Sequence, residues 1–230
     1  MTRLTSALTM DFRMQWRYKF VHAAAFISIV WLVILTLLPT EYMNLAIPFV
    51  IFGDLGIVGF YLLAGMILFE KGESTLQAIV VSPLSFFEYL TAKVIAFTVM
   101  AVVISLVIVF SFAGFGVNYF YIITGTALTS VVSLLIAFIA VAPYKSISSF
   151  LMPSQLYMLV MNLPLLDYFG WLEAKWLYVI PLQASLLLLE GGFRELSSFE
   201  VLYGFLYQGL WIVLLYLLAK RSYEKYLVKE

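Results

Sequence analysis

Long apolar runs constrain this chain more than any other feature of its sequence. Several approach or exceed the roughly 20 residues that a helix needs to cross the hydrocarbon core of a bilayer. Charged residues make up only 11% of the chain, against about 25% in an ordinary soluble domain. The sequence therefore predicts an all-α membrane protein with one transmembrane domain over residues 1–230. The six predicted spans cover about 20–38, 47–69, 94–115, 119–142, 148–166 and 201–219.

The residue types that are missing exclude several kinds of site. The chain has no cysteine, so disulfides, thiolate chemistry and cysteine-based zinc sites are excluded. His22 is the one histidine and cannot build a metal cluster alone. No GxxxxGK[ST] phosphate loop occurs, so the chain cannot bind ATP by that route. We expect no catalytic residue, no metal, no cofactor and no nucleic-acid partner; the partner that the composition does indicate is the lipid bilayer.

A further apolar run, Trp176–Leu189, is too short to be a span. Its 14 residues would make a helix of about 21 Å, against a hydrocarbon core of about 30 Å. With six spans and a cytoplasmic N-terminus, 11 of the 13 Lys and Arg residues fall inside, and only Lys175 and Arg194 fall outside. Basic residues near span ends favour the cytoplasm. We therefore predict a re-entrant segment at 176–189. The protein would cross the plasma membrane of a prokaryotic cell several times, with both termini in the cytoplasm.

The segment before the first span, residues 1–19, has apolar residues every fourth position. In a helix these form one stripe, with the arginines to one side. This pattern predicts an interfacial helix that lies on the cytoplasmic membrane surface. The alternative is an ordinary tail that carries basic topology signals. The stripe consists of Leu4, Leu8, Phe12, Trp16 and Phe20.

The loop between the second and third spans, residues 70–93, is the longest predicted on the cytoplasmic side. Ser74 is a predicted N-cap for a helix over Thr75–Val81. Pro83 is predicted at the first position of a second helix, with Ser82 as its cap. Apolar residues recur at helical spacing through the loop: Leu76, Ile79, Val80, Leu84, Phe87 and Leu90.

Acidic residues accompany this apolar stripe on a side of the membrane where basic residues usually dominate. They are Glu70, Glu73 and Glu88. A structured loop with an apolar stripe and acidic positions suits docking to another protein. A connector that rests on the membrane surface is the alternative interpretation.

Here the sequence resembles the permease subunit of an ABC-2-type exporter. The motif is "EKGESTLQAIVVSPL" followed by "EYLTAK", in which Glu70, Gly72, Thr75, Leu76, Ser82, Pro83 and Lys93 match the family pattern. Ser74 and Gln77 replace the commoner Gly and Glu. The stretch "IPLQASLLLLEGGF", Ile180–Phe193, is similar to small drug-export permeases of the fluoroquinolone type.

The resemblance implies a mechanism and a set of partners. The loop would be a coupling helix that sits in a groove on a separate ABC ATPase subunit, which binds ATP and Mg. A second permease subunit, expected to be an identical copy, would complete the pathway. The substrate would be a small amphipathic or hydrophobic molecule such as a drug. The predicted coupling residues are Glu70, Gly72, Glu73, Thr75, Leu76, Gln77, Ile79, Val80, Ser82, Pro83, Leu84, Phe87 and Glu88.

Polar residues inside the spans are candidates for a substrate pathway. Asp54 is the one acid placed within a span, where a carboxylate costs about 2.5–3.5 kcal/mol on insertion scales. Gln155 and Asn162 lie in a proline-containing fifth span. The alternatives are a protonated acid and structural hydrogen bonds between helices. Three glycines flank Asp54 at intervals of three, so that a neighbouring helix could approach closely; local flexibility of the second span is the alternative. They are Gly53, Gly56 and Gly59.

Two other function classes compete with the exporter. A proton-coupled secondary transporter would use Asp54 as its coupling acid, although no inverted repeat is evident. An intramembrane hydrolase would need a Ser–His pair or two acids deep in the bundle. His22 lies alone at a span edge, so the enzyme class ranks last.

Overall fold

A computed structural model describes residues 3–73, 75, 83–172 and 174–227, and these form helices joined by short connections, with no β-strand among them. Two short 3₁₀ helices, Thr40–Tyr42 and Lys175–Val179, and a π-helical turn, Asp54–Gly59, accompany the α-helices. The α-helices are α1 Arg3–Arg17, α2 Phe20–Thr36, α3 Met43–Gly53, α4 Phe60–Gly72, α5 Phe86–Ala113, α6 Tyr119–Val141, α7 Ile147–Asn162, α8 Pro164–Tyr168, α9 Pro181–Glu190 and α10 Ser198–Tyr226.

The helix lengths confirm an all-α membrane fold. Among the described residues, five helical segments are long and apolar enough to cross a bilayer, and α1 with α2 would form a sixth if the bent pair is one span. The pair bends by 62° at Lys19, whose φ of 65° is rare for a residue other than glycine. The five segments are Thr40–Gly72, Phe86–Ala113, Tyr119–Val141, Ile147–Tyr168 and Ser198–Tyr226.

The second span is interrupted in its middle. The helix α3 passes into the π-helical turn Asp54–Gly59 and continues as α4. The turn reads DLGIVG, and glycine lowers the cost of leaving regular α-helical geometry. Single π-turns inside α-helices are found frequently at functional sites. Asp54, the first residue of this turn, is therefore a candidate functional residue.

The prediction of close helix packing at the glycines around Asp54 is wrong. A Cβ built at Gly53, Gly56 or Gly59 would meet no atom of a neighbouring helix within 4 Å. These glycines border open space instead. Gly53 and Gly59 have ordinary right-handed helical dihedrals, which alanine can also adopt.

Close packing at glycine occurs instead around α9. A Cβ at Gly125 of α6 would lie 3.0 Å from the backbone nitrogen of Leu189, and one at Gly204 of α10 would lie 2.6 Å from Cδ2 of Leu188. Two adjacent leucines of α9 thus press against glycines on two different helices. Small residues permit such close approach within a membrane.

The helix α9 overlaps the segment predicted to be re-entrant and ends one residue beyond it, and it is too short to cross a bilayer. Its ten residues extend about 15 Å, and all of Leu182–Leu189 is buried. The backbone N–H of Asn118, the residue that caps α6, donates to the carbonyl of Gly192 at 2.9 Å. The turn after α9 therefore lies beside the start of α6. Entry and exit through one membrane face remains a prediction.

The helix α1 and the end of α10 lie at the same end of the bundle as the end of α4 and the start of α5, and we call this the loop end. The Tyr223 ring, near the end of α10, lies 4.9 Å from the Phe86 ring and 5.9 Å from the Tyr89 ring at the start of α5. Asp11 of α1 contacts Lys93 of α5. The helix α9 and the start of α6 lie at the opposite end.

Candidate functional site

Four buried side chains at the loop end form what we call the ion cluster: Asp11, Glu70, Tyr89 and Lys93. The Lys93 ammonium lies 2.9 Å from Oδ1 of Asp11 and also contacts the Glu70 carboxylate. The Tyr89 hydroxyl donates a hydrogen bond of 2.8 Å to Oε2 of Glu70. The side chains of Lys93 and Glu70 are 1% and 0% exposed. The cluster joins three helices: α1, α4 and α5.

The ion cluster holds two carboxylates against a single ammonium. Burial raises the pKa of Asp11 to about 6, although the neighbouring Lys93 charge acts in the opposite direction. Removing one member of a buried pair leaves an uncompensated charge and costs about 3–5 kcal/mol. The end of α4 and the start of α5 are therefore held in a fixed relation, and so are the two ends of the loop between them.

Glu70 occupies a different place from the one expected for a residue that faces a partner. Its carboxylate is buried and bonded to Lys93 and Tyr89. The signal was present in the sequence, because Glu70 and Lys93 both belong to the family-like motif. The contribution of Asp11 could not be read from that motif, because it comes from a helix more than 50 residues away.

Further contacts anchor the chain on either side of residues 76–82. The Lys71 ammonium donates to the carbonyls of Ala142 and Tyr144 at 2.6 and 2.8 Å, which ties the end of α4 to the turn after α6. Glu73 accepts a hydrogen bond from the Tyr18 hydroxyl. A guanidinium nitrogen of Arg3 in α1 donates to the Pro83 carbonyl at 2.9 Å.

The start of α5 corrects the predicted second helix of the loop. The helix begins at Phe86, and Ser85 is its N-cap, so Pro83 does not occupy the first helical position. The Ser85 hydroxyl accepts from the Glu88 amide, and the Glu88 carboxylate accepts from the Ser85 amide at 2.8 Å. This is a capping box, and its S-x-x-E signature is visible as "SFFE" in the sequence.

The predicted coupling residues fall into three groups. Glu70, Glu73 and Glu88 have partners within the chain. Phe87 is 55% exposed and offers an apolar surface at the loop end; Gly72 and Pro83 are exposed too, while Thr75 and Leu84 are half-buried. The predicted helix over Thr75–Val81 lies outside the described residues except for Thr75, and so does its predicted cap. Five predicted coupling residues also lie outside them: Leu76, Gln77, Ile79, Val80 and Ser82.

Asp54 begins the π-helical turn and is buried, with 6% of the residue exposed. Its Oδ1 has no hydrogen-bond partner in the described part of the chain. Because a buried polar atom is nearly always paired, this carboxyl group is a candidate for interaction with a proton, water or substrate.

Gln155 and Asn162 do not join Asp54 in one network. The Gln155 amide donates to the Tyr61 hydroxyl at 2.9 Å, and that hydroxyl lies 3.0 Å from Oγ of Ser154, so the group links α7 to α4. The Asn162 amide donates to the Met158 carbonyl of its own helix at 2.8 Å. The Gln155 contact is therefore a hydrogen bond between helices, as the structural alternative expected, whereas the Asn162 contact stays within α7.

Comparison with known proteins assigns the family. The model of the fluoroquinolones export permease protein family matches residues 2–230. The chain belongs to this family. It is also 33% identical, over 233 aligned positions, to the fluoroquinolones export permease proteins of two Mycobacterium tuberculosis strains, CDC 1551 / Oshkosh and ATCC 25618 / H37Rv. The alignments cover all of this chain and 98% of each relative, so the resemblance found in two short motifs extends over the whole molecule.

In this export permease, the stretch Ile180–Phe193 that carries the second resemblance is a packing element. It contains α9 and the glycine turn that follows. A Cβ at Gly192 would lie 2.2 Å from Cδ1 of Ile122, so a larger residue at this turn would displace the Ile122 side chain. The Arg194 guanidinium then bridges Glu190 and Glu200 at 2.8 and 2.9 Å, which fixes the connection into α10.

Proposed function

We propose that this permease is the transmembrane subunit of an ATP-driven exporter whose ATPase is a separate chain. It would move a small amphipathic or hydrophobic molecule, such as a fluoroquinolone, out of the cell. The observation that carries the proposal is the ion cluster, which holds both ends of the predicted coupling loop in the frame of the bundle. The missing phosphate loop supports an energy source in a partner, and this chain would have no catalytic activity of its own.

The contacts at the loop end suggest how a push on the loop would reach the spans. Movement of residues 74–82 would pull on Glu73 at one side and Pro83 at the other. Both positions are bonded to α1 or the segment after it, through Tyr18 and Arg3. The ion cluster joins α1 to α4 and α5, so the three helices would respond together.

The assembly that follows from this proposal has two permeases and two ATPases. A second identical copy would face the first, and substrate would pass between them. Both termini and the loop end would be cytoplasmic, where the ATPase binds ATP and Mg. The 11-to-2 distribution of basic residues supports this orientation.

Two phenylalanines of α5 provide a matched test. Phe87 and Phe110 are 55% and 56% exposed, but Phe87 lies near the loop end and Phe110 near the opposite end of the helix. Truncating a buried interface anchor can cost about 2 kcal/mol or more. We expect Phe87→Ala, alone and with Leu76→Ala, to reduce the ATPase retained on tagged permease and the drug efflux rate. Phe110→Ala should change neither, with both variants equally abundant in the membrane.

Equal ATPase retention and efflux in the Phe87→Ala, Leu76→Ala variant and the wild type would contradict a coupling role for the loop. Loss of the variant from the membrane would favour the alternative, in which the stripe packs against lipid or against its own bundle.

A proton-coupled secondary transporter is the second candidate, and the partnerless carboxyl oxygen of Asp54 favours it. It predicts that the purified chain alone, in liposomes, transports substrate when a pH gradient is imposed, and that Asp54→Asn abolishes this transport. The exporter proposal predicts no transport driven by a pH gradient in either protein, and transport only when the ATPase and ATP are supplied.

A further inference from the structure

An apolar cleft opens in the side of the bundle between α6, α7, α9 and α10. Its volume is about 580 Å³, within the range of about 300–1,000 Å³ that is typical of sites for drug-sized molecules. It is distinct from the ion cluster, Asp54 and the predicted coupling loop. Its walls include Ile136, Pro153, Leu156, Val160, Pro181 and Trp211.

The lining chemistry restricts what the cleft can hold. None of its lining residues is Asp, Glu, Lys, Arg or His. An ion with uncompensated charge would therefore lose its hydration without gaining a partner. The aromatic residues Tyr144, Tyr157 and Trp211 and two prolines provide flat, rigid surfaces. These walls favour a planar ring system that carries no net charge.

One wall also presents an unused hydrogen-bond donor. The indole nitrogen of Trp211 is buried and has no partner among the described residues. An indole N–H can only donate, so the missing partner must be an acceptor. Leaving such a buried group unpaired is unfavourable, and an acceptor on a bound molecule would satisfy it.

Other unpaired polar atoms lie on the same helices. Gln208, three residues before Trp211 on α10, is fully buried, and neither its amide nitrogen nor its amide oxygen has a partner in the described part of the chain. The Ser133 hydroxyl of α6 and the Gln183 amide oxygen of α9 are unpaired as well. These three residues do not line the cleft, so Trp211 carries the unpaired donor that the cleft itself presents.

The mouth of the cleft faces sideways. Leu156 and Val160 of α7 line the cleft yet are 70% and 49% exposed. The neighbouring Leu159 is 65% exposed, so this face of α7 is apolar on both sides of the mouth. In a membrane-spanning helix such a face meets lipid tails, and a ligand dissolved in the bilayer could enter without crossing water.

We infer that the cleft binds a planar aromatic molecule that has no net charge and carries a hydrogen-bond acceptor, which accepts from Nε1 of Trp211. The inference rests on the proposed export function, because it identifies where the permease takes substrate from the bilayer. The probe is tritiated 1-ethyl-4-quinolone, a planar ring system with a ring carbonyl and no ionisable group. Binding is measured on the full chain in lipid nanodiscs.

Two tryptophan substitutions on α7 provide the comparison. Leu156→Trp places an indole in the mouth, whereas Leu159→Trp places one on the same helix at a position that does not line the cleft. We expect Leu156→Trp to weaken binding of the quinolone probe by about fivefold or more, because an indole in the mouth would overpack the cleft. Leu159→Trp should bind as the wild type does. Trp211→Phe removes the donor and should weaken binding about twofold to tenfold.

The outcomes separate the site from the transport function. Equal binding by Leu156→Trp, Leu159→Trp and the wild type, or no binding by the wild type, overturns the site. Normal binding by Trp211→Phe overturns the acceptor contact. Efflux by the wild type together with its ATPase, measured in cells, tests the export proposal separately. Binding that Leu156→Trp abolishes, without any efflux by the wild type, would support the cleft and contradict export.

Discussion

The Nζ atom of Lys93 lies 2.9 Å from Oδ1 of Asp11, across 82 residues of sequence and inside a nearly solvent-free site. This contact docks α1 onto α5 by a face that carries Asp11, Met14 and Gln15, the buried residues of the helix. Trp16, a member of the predicted apolar stripe, points away and is 60% exposed. The first helix therefore has one face for the bundle and another for its surroundings.

Loss of the Lys93 ammonium should destabilise the permease strongly. In Lys93→Met two buried carboxylates face each other without a cation, and we expect a loss of about 3–5 kcal/mol in the free energy of unfolding. Neutralising the acids as well, in Asp11→Asn, Glu70→Gln, Lys93→Met, should restore part of the loss. Thermal unfolding in detergent measures both, with the exposed Lys175→Met as control. A Lys93→Met protein as stable as that control would show that the ion cluster contributes nothing.

Docking of α1 should strengthen as the pH falls. Burial raises the pKa of Asp11 from 3.8 to about 6, so between these values the docked helix holds a proton that a detached helix would release. The charged and titratable groups that face Asp11 are Lys93 and Tyr89 of α5 and Glu70 of α4.

Hydrogen exchange tests this pH dependence. After correction for intrinsic rates, the amides of α1 should exchange more slowly at pH 5 than at pH 7.5, and Asp11→Asn should show no such difference. Faster corrected exchange at pH 5 in the wild type would reverse the predicted sign.

Two glycines should respond in opposite ways to the same substitution. Gly125→Ala forces a Cβ to within 3.0 Å of the Leu189 backbone, which cannot move without shifting α9, and overpacking of this kind costs about 1–3 kcal/mol. Gly53→Ala meets nothing within 4 Å, and alanine favours the helix by up to about 1 kcal/mol. Thermal unfolding should therefore place Gly125→Ala below the wild type and Gly53→Ala at or above it. Equal losses would mean that α9 does not press on α6 as described.

Cysteine labelling should establish the sidedness of α9 and α10. The chain has no cysteine, so single cysteines at Lys175, Glu195 and Glu224 report without background. If α9 does not cross the membrane, an impermeant thiol reagent should label positions 175 and 195 from the same side and position 224 from the other. Labelling of positions 175 and 195 from opposite sides would make α9 a span and the six-span topology wrong.

The sequence predicted the elements that depend on local chemistry. Apolar runs located the spans because a bilayer demands about 20 apolar residues whatever the packing. The start of α5 was harder to predict. Ser85 and Glu88 carry a clear capping signature, but Pro83 offered a competing first helical residue three positions before Phe86. The partners of Lys93 and the empty space around Gly53 could not be predicted, because both depend on which distant helices become neighbours.

The packing around α9 divides the molecule mechanically. Leu188 packs closely against Gly204 of α10, and Leu189 packs closely against Gly125 of α6. Sliding α9 along either helix would therefore bring a leucine into steric clash with backbone atoms. By contrast, α7 buries only a narrow strip, Phe150, Ser154, Met158 and Met161. We expect α6, α9 and α10 to behave as one rigid block and α7 as a hinged wall beside it. The side opening between them would then widen or narrow with little disturbance to the rest of the bundle.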